Sequence, residues 1–338
     1  MPRPRTGIFR LLIGDWLHFQ LLLALMLIAA TAWFGATRAS PYDIQIMTLT
    51  VIFAIMAVGW TIAAGFAGQL LVGYISFFGI GAYANAILYT KFGFLPWFNL
   101  GIGAACGAAF AFAAAAVTVR FGLNQDYFGL FTVALSQVLK VLFVNWALAG
   151  KATGISISVL HYDLATMSFP DKTPYLYVGL GLLVLTLLIA YAILRSRVGH
   201  FLAAIRESPT AAEALGVDVT RYRILAIAVS GAIAGYAGAF FAQFTTFIDP
   251  DKVFGLALNF EFLLGPVLGG RLTLIGPVLG AALLRPAKDI LRGWLGGQAD
   301  ALYLVLYGLV LIISILLIPR GIAGFLQRFH QRFLARHD

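Results

Sequence analysis

Within long apolar runs the chain places a few polar side chains: Gln69, Ser76, Asn85, Gln137, Lys140, Asn145, Asn259 and Glu261. Amides, hydroxyls and charges at such depth need partners, supplied either by a neighbouring helix or by a hydrated path. Taken singly, each residue fits both readings. Taken together, Gln69, Tyr74, Ser76, Asn85, Gln137, Asn259 and Glu261 are candidates to line a translocation path, passing a small polar solute without changing it covalently. Glu261 is the sharpest case, because an ionisable group at span depth is costly. It follows the polar turn Asp249–Lys252 by only a few residues, which places it at the mouth of a vestibule rather than at mid-depth.

Several other chemistries are excluded. A phosphate-cradling loop needs G-x-x-x-x-G-K-[ST]. The nearest approach, Gly150-Lys151, has Asn145 in place of the first glycine and Ala152 in place of the hydroxyl. Gly79-Ile80-Gly81-Ala82-Tyr83-Ala84 mimics a dinucleotide fingerprint, but it lies in an apolar span with no strand before it, so helix packing explains it better. No nucleophile–base–acid set or paired carboxylates stand out, so the chain is not expected to be an enzyme. Its histidines, His18, His161, His200, His330 and His337, are not at ligand spacing, so no metal or other cofactor is expected. The lone Cys106 rules out a disulfide within the chain.

The elements that must position these residues are written for lipid. Of 338 residues, 61% are hydrophobic and 11% charged, against about 25% charged in soluble domains. Apolar runs of about 20 residues, enough to cross a bilayer, recur along the chain. They are continuous rather than alternating, which argues against a β-barrel. The fold expected is an all-α, polytopic transmembrane helical bundle of about ten spans, some broken or re-entrant. The spans begin at Leu17, Ile44, Gly65, Trp97, Tyr127, Pro174, Ile224, Val253, Leu272 and Leu302. Residues 1–16 read as a basic cytoplasmic tail, 17–319 as the transmembrane domain and 320–338 as a basic cytoplasmic tail.

With both termini in the cytoplasm, Arg120, the stretch Arg195–Arg223, Arg271 and the tail from Arg320 all fall inside, as the positive-inside rule asks. The net charge of +9 is thereby a matter of orientation and anionic lipid, and no nucleic acid is expected as a partner. Arg285, Lys288 and Arg292 are the exception. They fall outside, which calls either for a short amphipathic helix at the outer surface or for re-entrant eighth and ninth segments. Two segments, Gly65–Leu88 and Val253–Leu284, are interrupted by Gly or Pro, a pattern that marks substrate paths between internal repeats. GAACG (Gly103–Gly107) is a small-residue contact face, and GAIAG (Gly231–Gly235) has the same spacing.

One stretch, Gly199–Tyr222, is written for water: GHFLAAIRESPTAAEALGVDVTRY. Ser208 can cap a helix with Pro209 at its first position, and Gly216 can end it. Ala211, Ala212, Ala214 and Leu215 give that short helix a small apolar side, with Arg206, Glu207 and Glu213 around it. Such a helix suits a mechanical contact with a partner. An ordinary solvated loop is the plainer reading.

Ala203–Arg223 resembles the cytoplasmic loop of the M-type permease subunits of branched-chain amino acid ABC importers, which reads A-I-R-E-x-x-x-A-A-E-A-x-G-x-x-x-x-x-Y. Arg206, Glu207, Ala211, Ala212, Glu213, Ala214, Gly216 and Tyr222 match it. Gly65–Tyr83, Asp126–Leu139 and Val267–Ala281 are similar to three further blocks of that family, so the resemblance covers most of the chain. Three places depart from its pattern: Leu71-Val72-Gly73-Tyr74 lacks a usual polar pair, and Thr153-Gly154-Ile155 and Gly269-Gly270-Arg271-Leu272 each lack a glycine. The resemblance implies a permease in a bacterial inner membrane. Its partners would be an H-type permease subunit, two ATP-binding subunits and a periplasmic solute-binding protein. Coupling to the ATPase would fall to Arg206, Glu207, Ala211, Ala212, Glu213 and Gly216. The implied cargo is branched-chain amino acids, with urea, amides or aromatic carboxylates as the alternative. A secondary transporter or channel is a third reading.

Overall fold

The sequence Ser-Pro-Tyr-Asp starts a helix as firmly as any on the chain. Ser40 Oγ accepts from Asp43 N at 3.3 Å while Asp43 Oδ2 accepts from Ser40 N at 2.9 Å, a reciprocal cap with Pro41 in the first turn. The computed structural model describes residues 6–37, 39–121, 125–157, 162–295, 308–309 and 321–324. In chain order its elements are α1 (Thr6–Thr37), α2 (Pro41–Trp60), α3 (Ile75–Phe92), α4 (Pro96–Arg120), α5 (Gln125–Asn145), β1 (Ile155–Ser156), α6 (Thr173–Arg195), α7 (Arg197–Glu207), α8 (Pro209–Ala214), α9 (Val219–Thr245), β2 (Phe247–Ile248), α10 (Pro250–Val253), α11 (Leu256–Gly269) and α12 (Gly276–Leu295). Helix α1 thus begins inside the stretch expected as a tail. The tenth expected span, from Leu302, and the tail after it lie outside the described residues except for 308–309 and 321–324.

Among the described residues seven helical stretches are long and apolar enough to cross a membrane: Trp16–Thr37, Pro41–Phe66, Pro96–Thr118, Tyr127–Asn145, Thr173–Arg195, Val219–Thr245 and Pro250–Gly269. The chain is a helical membrane bundle. Helices α2 and α9 are apolar on every side and are buried along most of their length, as helices at the centre of a bundle must be. Helix α1, by contrast, is mostly uncovered by the rest of the chain.

Close backbone approach holds the bundle together. In lipid there is little hydrophobic drive between helices, so small residues that admit tight packing take over. A Cβ on Gly235 would lie 2.1 Å from the Gly103 carbonyl oxygen, and one on Gly107 would lie 2.3 Å from that of Gly231. The two small-residue motifs therefore face each other, α4 against α9. Gly81 presses equally on Gly235, with 1.9 Å from its built Cβ to the carbonyl oxygen. This assigns the dinucleotide-like GIGAYA run to packing. Helices α11 and α12 repeat the device, with Gly280 against the Gly265 carbonyl and Gly269 against that of Gly276.

The structure specifies three details that the sequence left open. The Gly65 span, whose glycines pointed to a broken or closely packed helix, is broken: α2 runs on as a π-helical segment, Thr61–Phe66, the chain then leaves helical form, and α3 begins only at Ile75. Arg285 and Lys288 lie on α12, which is not among the seven stretches apolar enough to cross a membrane, and both pair with Glu261. The polar loop between α5 and α6 carries β1, which pairs antiparallel with β2, Ile155 opposite Ile248. Gly154 makes that ribbon possible with φ +74° and with the Ile248 carbonyl 2.3 Å from where its Cβ would be.

Candidate translocation and coupling sites

Breaking a span exposes backbone groups that lipid cannot satisfy, so other side chains must bond them. The break between Phe66 and Ile75 is stitched in this way. Asn259 of α11 accepts from Ile75 N at 3.1 Å and donates to the Val72 carbonyl at 2.7 Å. Thr132 Oγ1 of α5 accepts from Gly73 N at 3.0 Å, and Trp60 Nε1 donates to the Leu71 carbonyl at 2.7 Å. Tyr74 Oη donates to the Ser230 carbonyl at 3.0 Å, and Ser230 Oγ donates to the Gly59 carbonyl at 2.8 Å. Ser76 Oγ closes the segment onto the Gly73 carbonyl at 2.8 Å. Four helices thus converge on one non-helical stretch.

At one end of the bundle sit α7 and α8. Helix α7 is amphipathic and buries Leu202 and Ile205. Ser208 caps α8, accepting from Ala211 N at 3.3 Å, with Pro209 in the first turn. Gly216 follows in the left-handed region, φ +84°. A small cluster of Ile205, Ala212 and Val219 seats α8 on its neighbours. Its other side, Ala211, Glu213, Ala214 and Leu215, is exposed, with Leu215 at 83%. Arg206 turns back toward the bundle. One of its nitrogens reaches the Gly65 carbonyl at 3.5 Å while another pairs with Glu207 at 2.8 Å. Its side chain packs on Gly68, where a Cβ would meet it at 3.0 Å. A cavity of about 380 Å³ opens here, lined by Trp60, Gln69, Arg206, Glu207 and Arg271 among others.

At the other end of α6, roughly 34 Å away at 1.5 Å per residue, lies a larger cavity of about 690 Å³. Its wall is aromatic and cationic, with Phe241 and Phe244 of α9, and Lys172, Lys252, Arg285 and Lys288. Glu261 lines it too, one oxygen accepting from Arg285 at 3.2 Å and the other from Lys288. Arg285 also pairs with Asp289 at 3.2 Å and lies 4.8 Å from the centroid of Phe53. Below, the rings of Phe53, Phe262 and Phe78 pack in sequence, with centroids 4.6 Å and 5.1 Å apart.

Of the candidate path residues, the structure brings Gln69 to the first cavity and Glu261 to the second. Tyr74, Ser76 and Asn259 belong to the stitched break. Asn85 is buried and bonds the Ala239 carbonyl and Gln243 Oε1 of α9 at 3.1 and 3.3 Å. Gln137 is half-buried beside Ser136, 3.2 Å away, and lines neither cavity. Sequence reasoning missed Thr132, Trp60 and Ser230 as stitches, and Lys172 and Lys252 as cavity residues. For the lysines no specific signal was available, since each lies in a polar turn between apolar runs.

The described chain is a polytopic helical membrane bundle with a stitched, broken span and a short, exposed capped helix at one end. Residues 43–315 match the family model described as branched-chain amino acid transport system / permease component, and the chain belongs to that family. It is 28% identical to the high-affinity branched-chain amino acid transport system permease protein LivM of Salmonella typhimurium, over 91% of this chain and 76% of that one. It is 30% identical to the autoinducer 2 import system permease protein LsrC of an Enterobacter strain, over 78% and 77%. It is 23% identical to the LivH permease of Escherichia coli, over 82% and 93%. No solved structure matches the chain.

Proposed function

We propose that the chain is the M-type permease subunit of a bacterial ABC importer, set in the inner membrane with about ten crossings and both termini in the cytoplasm. An H-type permease, two ATP-binding subunits and a periplasmic binding protein complete it. The likeness to both LivM and LivH supports a permease pair. Branched-chain amino acids are the cargo named for the LivM relative. A carboxylate without an amino group is a second reading, which the cationic outer cavity favours. ATP is hydrolysed on the partners, since this sequence has no phosphate-binding loop.

The observation that carries this reading is α8. Its apolar, acidic outer face is exposed, its base is seated in the bundle, and the neighbouring Arg206 contacts the broken span at Gly65 and Gly68. Movement imposed on α8 by an ATPase partner therefore reaches the break directly. The test is ATP-driven uptake in proteoliposomes holding the whole complex. Glu213→Arg, on an exposed position, is expected to leave folding and assembly intact while uptake falls at least about tenfold, a barrier change of ~1.4 kcal/mol. Uptake that persists without any ATP-binding subunit would sink the importer reading.

A further inference from the structure

The outer cavity has more positive charge than it can neutralise. Four cationic side chains line it, Lys172, Lys252, Arg285 and Lys288, against one carboxylate, Glu261. Both oxygens of Glu261 are already taken by Arg285 and Lys288. The other acids nearby are committed or turned away. Asp289 pairs with Arg285, Asp251 pairs with Lys140 at 2.5 Å, and Asp249 Oδ1 caps α10 by accepting from Lys252 N at 2.8 Å. Asp171 is exposed and does not line the cavity. Among the described residues neither Lys172 nor Lys252 is in an ion pair.

These two lysines are also held in place. Lys172 Nζ donates to Gln45 Oε1 at 2.7 Å and lies 5.8 Å from the Phe244 centroid. Lys252 Nζ lies 5.4 Å from the Phe241 centroid. Phe241 and Phe244 are three apart on α9, so their Cβ atoms are about 5–6 Å apart on one face. The ammonium groups therefore converge from the residue that precedes α6 and from α10 over adjacent rings. Each keeps free donors, since an ammonium has three and Lys172 uses one. The cavity's 690 Å³ falls in the range of about 300–1,000 Å³ usual for small-molecule sites.

We propose that this cavity is a binding site for a monoanionic organic acid with an apolar body, its carboxylate held by Lys172 and Lys252 and its body laid against Phe241 and Phe244. An α-amino group on the ligand would find no carboxylate to receive it and would add a cation to a cluster already in excess. The site thus prefers an acid to the corresponding amino acid. The inference rests on the importer reading only for the statement that the ligand is cargo, because binding can be measured on the permease alone.

The test is calorimetric titration of the full chain in lipid nanodiscs with 4-methylpentanoate and with leucine, which differ by the amino group. 4-Methylpentanoate is expected to bind saturably and at least about tenfold more tightly than leucine. Loss of charge-assisted bonds in Lys172→Gln with Lys252→Gln is expected to weaken it about ten- to a hundredfold. Lys252→Arg is expected to retain most of the binding, and Lys151→Gln, outside the cavity, all of it. Equal affinity for leucine, no binding of 4-methylpentanoate, or unchanged binding in the double glutamine variant would each overturn the proposal. Uptake by the whole complex separates the two failures. ATP-dependent uptake that ignores the lysine variants defeats this site and leaves the importer reading standing, whereas uptake independent of ATP defeats the importer reading whatever the titration shows.

Discussion

Glu261 and Asn259 sit two positions apart on α11 and illustrate two uses of a buried polar group. The Glu261 carboxylate is a counter-ion. With side chains only 14 to 15% exposed across Glu261, Arg285 and Lys288, removing the negative charge leaves Lys288 without a counter-ion beside Arg285, which keeps only Asp289. Breaking such a cluster costs about 3–5 kcal/mol, so Glu261→Gln is expected to lower the unfolding temperature of the purified chain clearly. Replacing Glu261 and Lys288 together by glutamine and methionine is expected to recover part of the loss. Asn259 is a splint. Asn259→Leu keeps the volume but strands Ile75 N and the Val72 carbonyl, at about 1–3 kcal/mol for each buried group. Thermal unfolding followed by tryptophan fluorescence reports both effects, and an unchanged midpoint for Asn259→Leu would mean that the break is held by something else.

At the scale of elements, glycines set the distances. Gly235→Ala is expected to destabilise the α4–α9 contact severely, because the new methyl would lie 2.1 Å from a backbone oxygen that cannot rotate away. Gly101→Ala on the same α4 meets nothing within 4 Å and is expected to be neutral or stabilising, since alanine favours a helix by about 1 kcal/mol over glycine. Yields of monodisperse protein after detergent extraction compare the pair. Much of this level was legible beforehand. Long apolar runs name the helices, small residues four apart name the seam, and Ser208-Pro209 with Gly216 names α8 and its ends. Other features were not legible, for reasons of physics. A π-helical segment and the onset of a break depend on which distant donors are available, and the Asn259, Thr132 and Trp60 bonds join positions far apart in sequence. Helix α7 hid inside a polar stretch because its apolar stripe, Leu202 and Ile205, is short. The ion pairs of Arg285 and Lys288 were invisible to a rule that counts charges by side without asking what they face.

For the whole molecule, the proposed importer role requires a push at one end to become an opening at the other. The pieces are contiguous. Helix α8 is seated on α7 through Ala212 and Ile205, α7 carries Arg206, and Arg206 meets Gly65 and Gly68 at the head of the break. Asn259 then ties the break to α11, which carries Glu261 into the cationic cavity. Each contact joins rigid helices or a short bonded segment, so a shift at α8 has a physical route of packed atoms to follow. Arg206 is the single long side chain in that route and the natural place to cut it. Arg206→Ala removes one half-exposed ion pair, worth little, along with the contact to the break. The chain is therefore expected to fold, to bind its ATPase partners and to support near-normal basal ATP hydrolysis, while solute uptake falls at least about tenfold. Gly68→Ala is expected to do the same by another means, since Gly68 sits at φ +69° and its new methyl would push on Arg206 at 3.0 Å. Measured together in the reconstituted complex, the two variants should move the ratio of transport to hydrolysis without moving hydrolysis itself. If both lose hydrolysis and transport in proportion, Arg206 only anchors α7. If both transport normally, force reaches the break by another helix.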